Sequence, residues 1–151
     1  MTFHLEKVEP NSNQINFLYK QMERRVYNIS HNDLPSIAEH VMFVKNNCYR
    51  EWFIIKKGTL NIGNIYVQFD NSIGLHCLKE ISASEIKCFL QLVFEQVEPL
   101  EAIPSFRRGS FFLNVASSNI HMQDCLTSIG CSEIQRSYEI SNLVKAEIKE
   151  R

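Results

Sequence analysis

Tyr49-Arg50-Glu51-Trp52-Phe53-Ile54-Ile55-Lys56-Lys57-Gly58-Thr59-Leu60-Asn61-Ile62-Gly63-Asn64-Ile65-Tyr66-Val67-Gln68-Phe69-Asp70-Asn71-Ser72-Ile73-Gly74-Leu75-His76-Cys77-Leu78 is the stretch that decides the fold. Residues 49–56 are rich in aromatic and β-branched side chains, which suit a pleated, half-buried surface. Lys57-Gly58 supplies a hairpin turn. Beyond it Leu60 and Ile62 share one parity, whereas Ile65, Val67 and Phe69 share the other. A parity switch around Gly63 is what a β-bulge produces. Asp70-Asn71 turns the chain again, and Ser72 to Leu78 forms another strand. The expectation is an antiparallel meander of three strands. Strand alternation puts His76 on the face opposite Ile73, Leu75 and Cys77.

Upstream, Thr2 to Glu9 alternates and predicts a first strand. Pro10-Asn11-Ser12-Asn13 offers a turn and helix N-caps. Ile15, Leu18, Tyr19, Met22 and Val26 then follow at helical spacing over residues 14–27. Leu34-Pro35 breaks the chain, and Ser36-Ile37-Ala38-Glu39 opens a second helix with a capping-box pattern. Its inner face is read as Ile37, Val41 and Val44, with His40 facing solvent. Downstream, Ile86, Phe89, Leu90, Val93, Phe94 and Val97 give the plainest helical period in the chain, over residues 82–97. Ser82-Ala83-Ser84-Glu85 opens it with another capping box. A proline-containing loop to Gly109 leads into a short strand over 111–116. A helix over 120–129 follows, with Gly130 at its C-cap. Residues 131–140 alternate loosely and predict one more strand, and the charged tail 141–151 reads as a frayed helix. One domain over 1–140 with an α+β fold accounts for this order.

Composition narrows the function. The 151 residues carry a net charge of −1, with 44% apolar and 22% charged residues. That balance gives no basic field for nucleic acid. No apolar run reaches the length of a membrane helix, and the N-terminus does not read as a signal peptide. Five scattered cysteines without C-x-x-C predict reduced thiols in a cytoplasmic protein. The five histidines are equally scattered, so no metal site is expected. There are five glycines, at 58, 63, 74, 109 and 130. Their spacing excludes a dinucleotide-binding fingerprint and a Walker-A loop.

The element order, together with two segments, resembles the GNAT superfamily of acyl-CoA N-acyltransferases. One segment runs from Pro35-Ser36-Ile37-Ala38-Glu39-His40-Val41 through Tyr49–Ile55, Ile62–Val67 and Ser72–Leu75. It is similar to the GNAT branch that acetylates amino sugars in surface-glycan pathways. The other joins Phe112-Leu113-Asn114-Val115 to Asn119 and Ile129-Gly130-Cys131. The resemblance implies a mixed, mostly antiparallel sheet flanked by helices. It also implies acetyl-CoA as co-substrate and transfer of acetyl to a primary amine, such as an amino sugar. In such a site Leu75 to Cys77 would orient the pantetheine as a pseudo-strand. Amides near Ser82, Ser84 and Ile86 would meet the pyrophosphate, and Asn119 would bond the pantetheine arm or serve only as an N-cap. His76 would be the catalytic base, or else a sheet histidine. A homodimer or a protein partner stays open.

Two departures from the family pattern stand out. Ile81-Ser82-Ala83-Ser84-Glu85-Ile86 replaces the family's glycine-rich anion loop without arginine or glycine. Glu85 would compete for the positive end of the helix, and a Ser82–Glu85 capping box would occupy the amides. Leu126 stands where many members carry a tyrosine acid, which leaves Tyr138 as an alternative acid on the last strand. A member of the fold that has lost catalysis and acts as a binding or assembly partner is the second expectation.

Overall fold

The aromatic tract does form the centre of a sheet. The computed structural model describes residues 2–25 and 34–144. Its elements are β1 (Phe3–Lys7), α1 (Ser12–Glu23), α2 (Ile37–Lys45), β2 (Glu51–Lys57), β3 (Leu60–Val67), β4 (Ser72–Cys77), α3 (Ala83–Gln96), β5 (Phe112–Leu113) and α4 (Ile120–Ser128). The five strands lie in sequence order. β1 through β4 are antiparallel neighbours, and β5 joins β4 in parallel.

Turn chemistry sets the register. Gly58 takes a φ of 61° in the two-residue turn between Lys57 and Leu60, a conformation that costs glycine nothing. Between Ile55 and Lys56 the register against β3 slips, because Ile55 pairs with Gly63 while Lys56 pairs with Asn61. That slip is the bulge implied by the parity switch, and it turns Ile65 and Val67 into the core. A Cβ at Gly63 would sit 2.5 Å from the His76 carbonyl oxygen, so the bulge also depends on a bare backbone.

Alternation sorts the strand side chains onto two faces. Phe53, Ile55, Ile65, Val67, Ile73 and Leu75 pack with Ile86, Phe89 and Val93 of α3 and with Cys125 of α4. Phe3 meets Phe89 edge-on at 5.0 Å. On the other face Trp52, Tyr49 and Tyr66 meet Ile15 and Leu18 of α1 and Val44 of α2. The caps are the ones read from the sequence. Asn11 accepts from Gln14 N at 3.0 Å, and Ser36 from Glu39 N at 3.2 Å. Cys131 N donates to Leu126 O and Gly130 N to Thr127 O, a Schellman motif closed by Gly130 at a φ of 100°.

Four expectations are corrected. On α2 Val44 is buried and Val41 packs against the same cluster, but His40 joins them on the inner face while Ile37 is exposed. Helical side chains lean toward the N-terminus, so a first-turn residue overhangs the packed part of its helix. His40 is buried instead of solvent-facing, because its ring finds the Ile15 carbonyl at 3.1 Å. β5 keeps only two residues of the apolar run 111–116, since only these find ladder partners on β4. Residues 131–140 form no strand and are exposed throughout. Alternation alone does not make a strand; a neighbouring edge must supply the ladder. Val26 and the tail from 145 lie outside the described residues, and 142–144 form a helical turn.

Candidate functional site

Among the described residues the second half of β4 has a free edge. Its pairing with β5 stops at Ile73 and Leu113, while pairing with β3 continues to Cys77. Ser72 O accepts from Gln68 N, and Leu78 N donates to Ile62 O, so the even-numbered residues turn their backbone groups toward β3. By alternation the odd-numbered ones turn away from it. Asn71 O, which accepts from Phe112 N at 3.2 Å, fits that phase. The N–H and C=O of Leu75 and Cys77 therefore face an edge with no strand partner among the described residues. An extended amide-bearing ligand laid there would find a ladder waiting.

Asn71 fixes where this edge opens. It is fully buried at a φ of 71°. Its carboxamide donates to Leu100 O at 2.9 Å and Arg108 O at 2.6 Å, and accepts from Leu100 N at 2.8 Å. One side chain thus ties both ends of the long loop to the start of β4 and delivers the chain to β5.

A polar cluster lies on the α1 side of the same strand. Trp52 Nε1 donates to Asn64 Oδ1 at 3.1 Å, Asn64 Nδ2 to Gln21 Oε1 at 2.7 Å, and Gln21 Nε2 to His76 O at 2.8 Å. These buried groups satisfy one another, as an interior requires. Beside them Tyr49 and Tyr66 stack at 4.0 Å, and Tyr66 lies 6.0 Å from the His76 ring. Gly74 makes room for this, because a Cβ there would overlap the Tyr66 ring. Burial first, then the Arg25 guanidinium, push His76 down to about 3. The imidazole is neutral at physiological pH and holds a proton poorly. Burial raises the Tyr66 phenol, opposed by Arg25, so the phenol stays protonated. Burial, then Glu85, push the Cys77 thiol up to about 12. It is no nucleophile.

The start of α3 is closed by its own side chains. Ser82 Oγ accepts from Glu85 N at 3.2 Å, and Glu85 Oε1 accepts from Ser82 N at 3.1 Å. Ser84 Oγ stands 3.1 Å from Ser82 Oγ. Ile86 N already donates to Ser82 O at 3.0 Å. Of the amides read as anion donors, those of Ala83 and Ser84 are left, beside a carboxylate. His121 of α4 adds a brace: its Nε2 is 2.6 Å from Ile81 O, and its Nδ1 is 3.4 Å from Glu80. Cys125 Sγ is 3.5 Å from the same Nε2. A Cys–His–Glu nucleophile does not result. The ring nitrogen facing the thiol must carry a proton to bond the Ile81 carbonyl, so it cannot accept one.

The structure thus brings Leu75, His76 and Cys77 together with the start of α3 and leaves two other residues apart. Asn119 caps α4, its Oδ1 accepting from Met122 N at 3.2 Å. Tyr138 stands on the exposed segment after α4, on no strand. Sequence reasoning missed Gln21, Arg25, Asn64 and Asn71, whose types are ordinary surface types. It passed over Tyr66 as a plain strand aromatic. The cross-strand pairing of Gly74 with Tyr66 was the one signal available. Among the described residues no group of acidic, cysteine and histidine side chains is arranged to hold a metal ion. None of their helices is long and apolar enough to cross a membrane.

No protein-family model matches the sequence, and no curated protein sequence matches it. Solved structures do match the fold. A domain from Methanocaldococcus jannaschii aligns with a TM-score of 0.62 at 13% identity, over 91% of this chain and 93% of that one. An acetyltransferase from Thermus thermophilus aligns with a TM-score of 0.61 at 12% identity, over 86% of each chain. An aminoglycoside N-acetyltransferase aligns with a TM-score of 0.57 at 12% identity, again over 86% of each. The backbone has a GNAT-like fold, the one these acetyltransferase structures share. That fold holds the mixed, mostly antiparallel sheet with its parallel β4–β5 junction. At such identities the likeness concerns the backbone, and the chemistry has to be argued from the residues present.

Proposed function

We propose that the chain is an acetyl-CoA-dependent N-acetyltransferase acting on a primary amine, an amino sugar being the leading acceptor class. The unpaired β4 edge at Leu75 and Cys77 carries this reading, supported by the acetyltransferase fold around it. The pantetheine arm contains two amides and lies extended, so it suits a ladder on that edge. Acetyl-CoA supplies an activated thioester carbonyl. The acceptor nitrogen attacks that carbon, the C–S bond breaks, and the thiolate leaves with the proton lost by the amine.

His76 contributes as a neutral hydrogen-bond acceptor and not as a base, because an imidazole held near 3 does not retain a proton at pH 7. The acceptor amine must arrive without its proton. Arg25 assists, because a guanidinium that disfavours charge on His76 disfavours an ammonium group placed nearby for the same reason. The rate is expected to rise with pH along the acceptor's own titration, with no inflection between pH 6 and 7. Thiol release from acetyl-CoA, followed across a panel of amino sugars and simple amines, tests the reading. No release above background with any amine refutes it.

The capped start of α3 favours a second reading. The Ser82–Glu85 box and the Glu85 charge weaken the place where the diphosphate would rest. A GNAT-like protein that binds a partner without catalysis would show the same feature. Binding of acetyl-CoA with no transfer to any amine would select it.

A further inference from the structure

Gln21 and Arg25 sit together at the end of α1 where it lies on β4, in opposite states of satisfaction. Gln21 Nε2 donates to His76 O at 2.8 Å and Gln21 Oε1 accepts from Asn64, so this carboxamide is satisfied within the fold. Arg25 follows just past the helix, its backbone N–H donating to Met22 O at 3.2 Å. It is half-buried, and its Nε is shut off from water without a hydrogen-bond partner. No carboxylate pairs with it among the described residues. A buried donor without an acceptor is costly, more so on a charged group. The His76 ring is in the complementary state. It lies 6.0 Å from the Tyr66 ring and makes no hydrogen bond among the described residues, so the neutral imidazole offers a lone pair on the same face. The Arg25 charge is felt at His76, Tyr66 and Tyr49 alike, which puts the guanidinium beside all three rings. Tyr49 stacks on Tyr66 at 4.0 Å and meets Trp52 edge-on at 5.0 Å, so the wall here is aromatic and poor in water. In such surroundings an ionic hydrogen bond is stronger than at an open surface.

We infer that the acceptor is an amine that also carries an anionic group, a carboxylate or a phosphate, which the Arg25 guanidinium takes while the amine nitrogen donates to His76. The inference deepens the acetyltransferase reading and rests on it only for what then happens to the amine. A guanidinium matches either anion with two parallel N–H donors, which an ammonium cannot do. An amine without the anion leaves the buried Nε unpaired, so the site discriminates against it. The remaining requirement is a neutral amine. Burial is the larger of the two influences on His76, and it favours the uncharged amine as well once the anion offsets the guanidinium. Arg25 is thus a specificity residue, and His76 orients the nitrogen.

The full chain, isotopically labelled at arginine and histidine, is titrated with two matched pairs: alanine against ethylamine, and a phosphorylated glucosamine against glucosamine. The Arg25 Nε–H and His76 ring signals read binding without turnover. Saturable shifts at both signals are expected with the anionic member of one pair, its neutral partner binding about ten- to a hundredfold more weakly. The pair that responds separates an amino-acid carboxylate from a sugar phosphate. Arg25→Gln should bring the ratio below about threefold, and Arg25→Lys, which keeps the charge without the fork, should retain part of it. Circular dichroism checks that both variants are folded. Equal affinity within both pairs, an Arg25 signal that no anionic amine moves, or a ratio that survives Arg25→Gln overturns the inference. Thiol release from acetyl-CoA at equal rates with anionic and neutral amines overturns it too, while leaving the acetyltransferase reading intact. Selective binding without thiol release supports the inference and refutes that reading instead.

Discussion

Acidification through the histidine range should destabilise this chain by an amount set mainly by His76. The imidazole is held down to about 3 by burial and by Arg25, whereas in the unfolded chain it titrates near 6.5. Between those values the unfolded state binds a proton that the folded state refuses. The contribution is therefore intact above pH 6.5 and is lost progressively as pH falls toward 3, at up to about 1.4 kcal/mol per pH unit. By pH 5 the loss from this one group is about 2 kcal/mol. His40 is lowered by burial too, so it acts in the same direction. Urea unfolding at pH 7.5 and pH 5 measures the sum, and His76→Gln isolates the part due to this residue. The variant should lose about 2 kcal/mol less than the parent over that interval. An imidazole signal from His76 titrating near 6.5 in the folded chain, or equal losses in parent and variant, would refute the reasoning.

Three further outcomes follow from the geometry of β4 and α3. Gly74→Ala drives a methyl into the Tyr66 ring and should cost about 1–3 kcal/mol, with loss of the Tyr49–Tyr66 stack, read by thermal unfolding and near-ultraviolet circular dichroism. Asn71→Ala removes three hydrogen bonds and puts a Cβ without polar compensation at positive φ, so it should destabilise more than Asn71→Gly, by about 0.5–1 kcal/mol in denaturant titration. Glu85→Gln takes a carboxylate from the α3 N-terminus. It should tighten acetyl-CoA about two- to fivefold in calorimetry, while Ser82→Ala should cost about 1 kcal/mol of stability.

The sheet was legible because its signals are local. Gly58 between two aromatic tracts, the parity switch at Gly63 and the capping residues Asn11, Ser36 and Ser82 each act within a few positions of themselves. What escaped depends on distant partners. His40 reads as exposed until the Ile15 carbonyl comes to meet it. Asn71 looks like one more turn residue until a loop about thirty positions away closes on its carboxamide. Residues 131–140 alternate loosely like a strand, yet no sheet edge comes to meet them. At the site, Leu75 to Cys77 could be placed from family resemblance and strand phase. The polar chain from Trp52 to His76 could not, because its members lie on α1, β2, β3 and β4 and meet only once α1 docks on the paired strands.

On the reading proposed above, the β4 edge at Leu75 and Cys77 holds the thioester arm. Titrating acetyl-CoA and, separately, S-acetylpantetheine into the isotopically labelled chain, with amide shifts followed residue by residue, tests it most directly. Saturable shifts at Leu75 and Cys77 with both ligands are predicted. The capped α3 start should hold the difference in affinity between the two ligands to about tenfold or less, about 1.4 kcal/mol. Silence at those two amides at millimolar ligand, or binding that moves other residues and leaves Leu75 and Cys77 unchanged, would mean that the thioester arm does not lie on this edge.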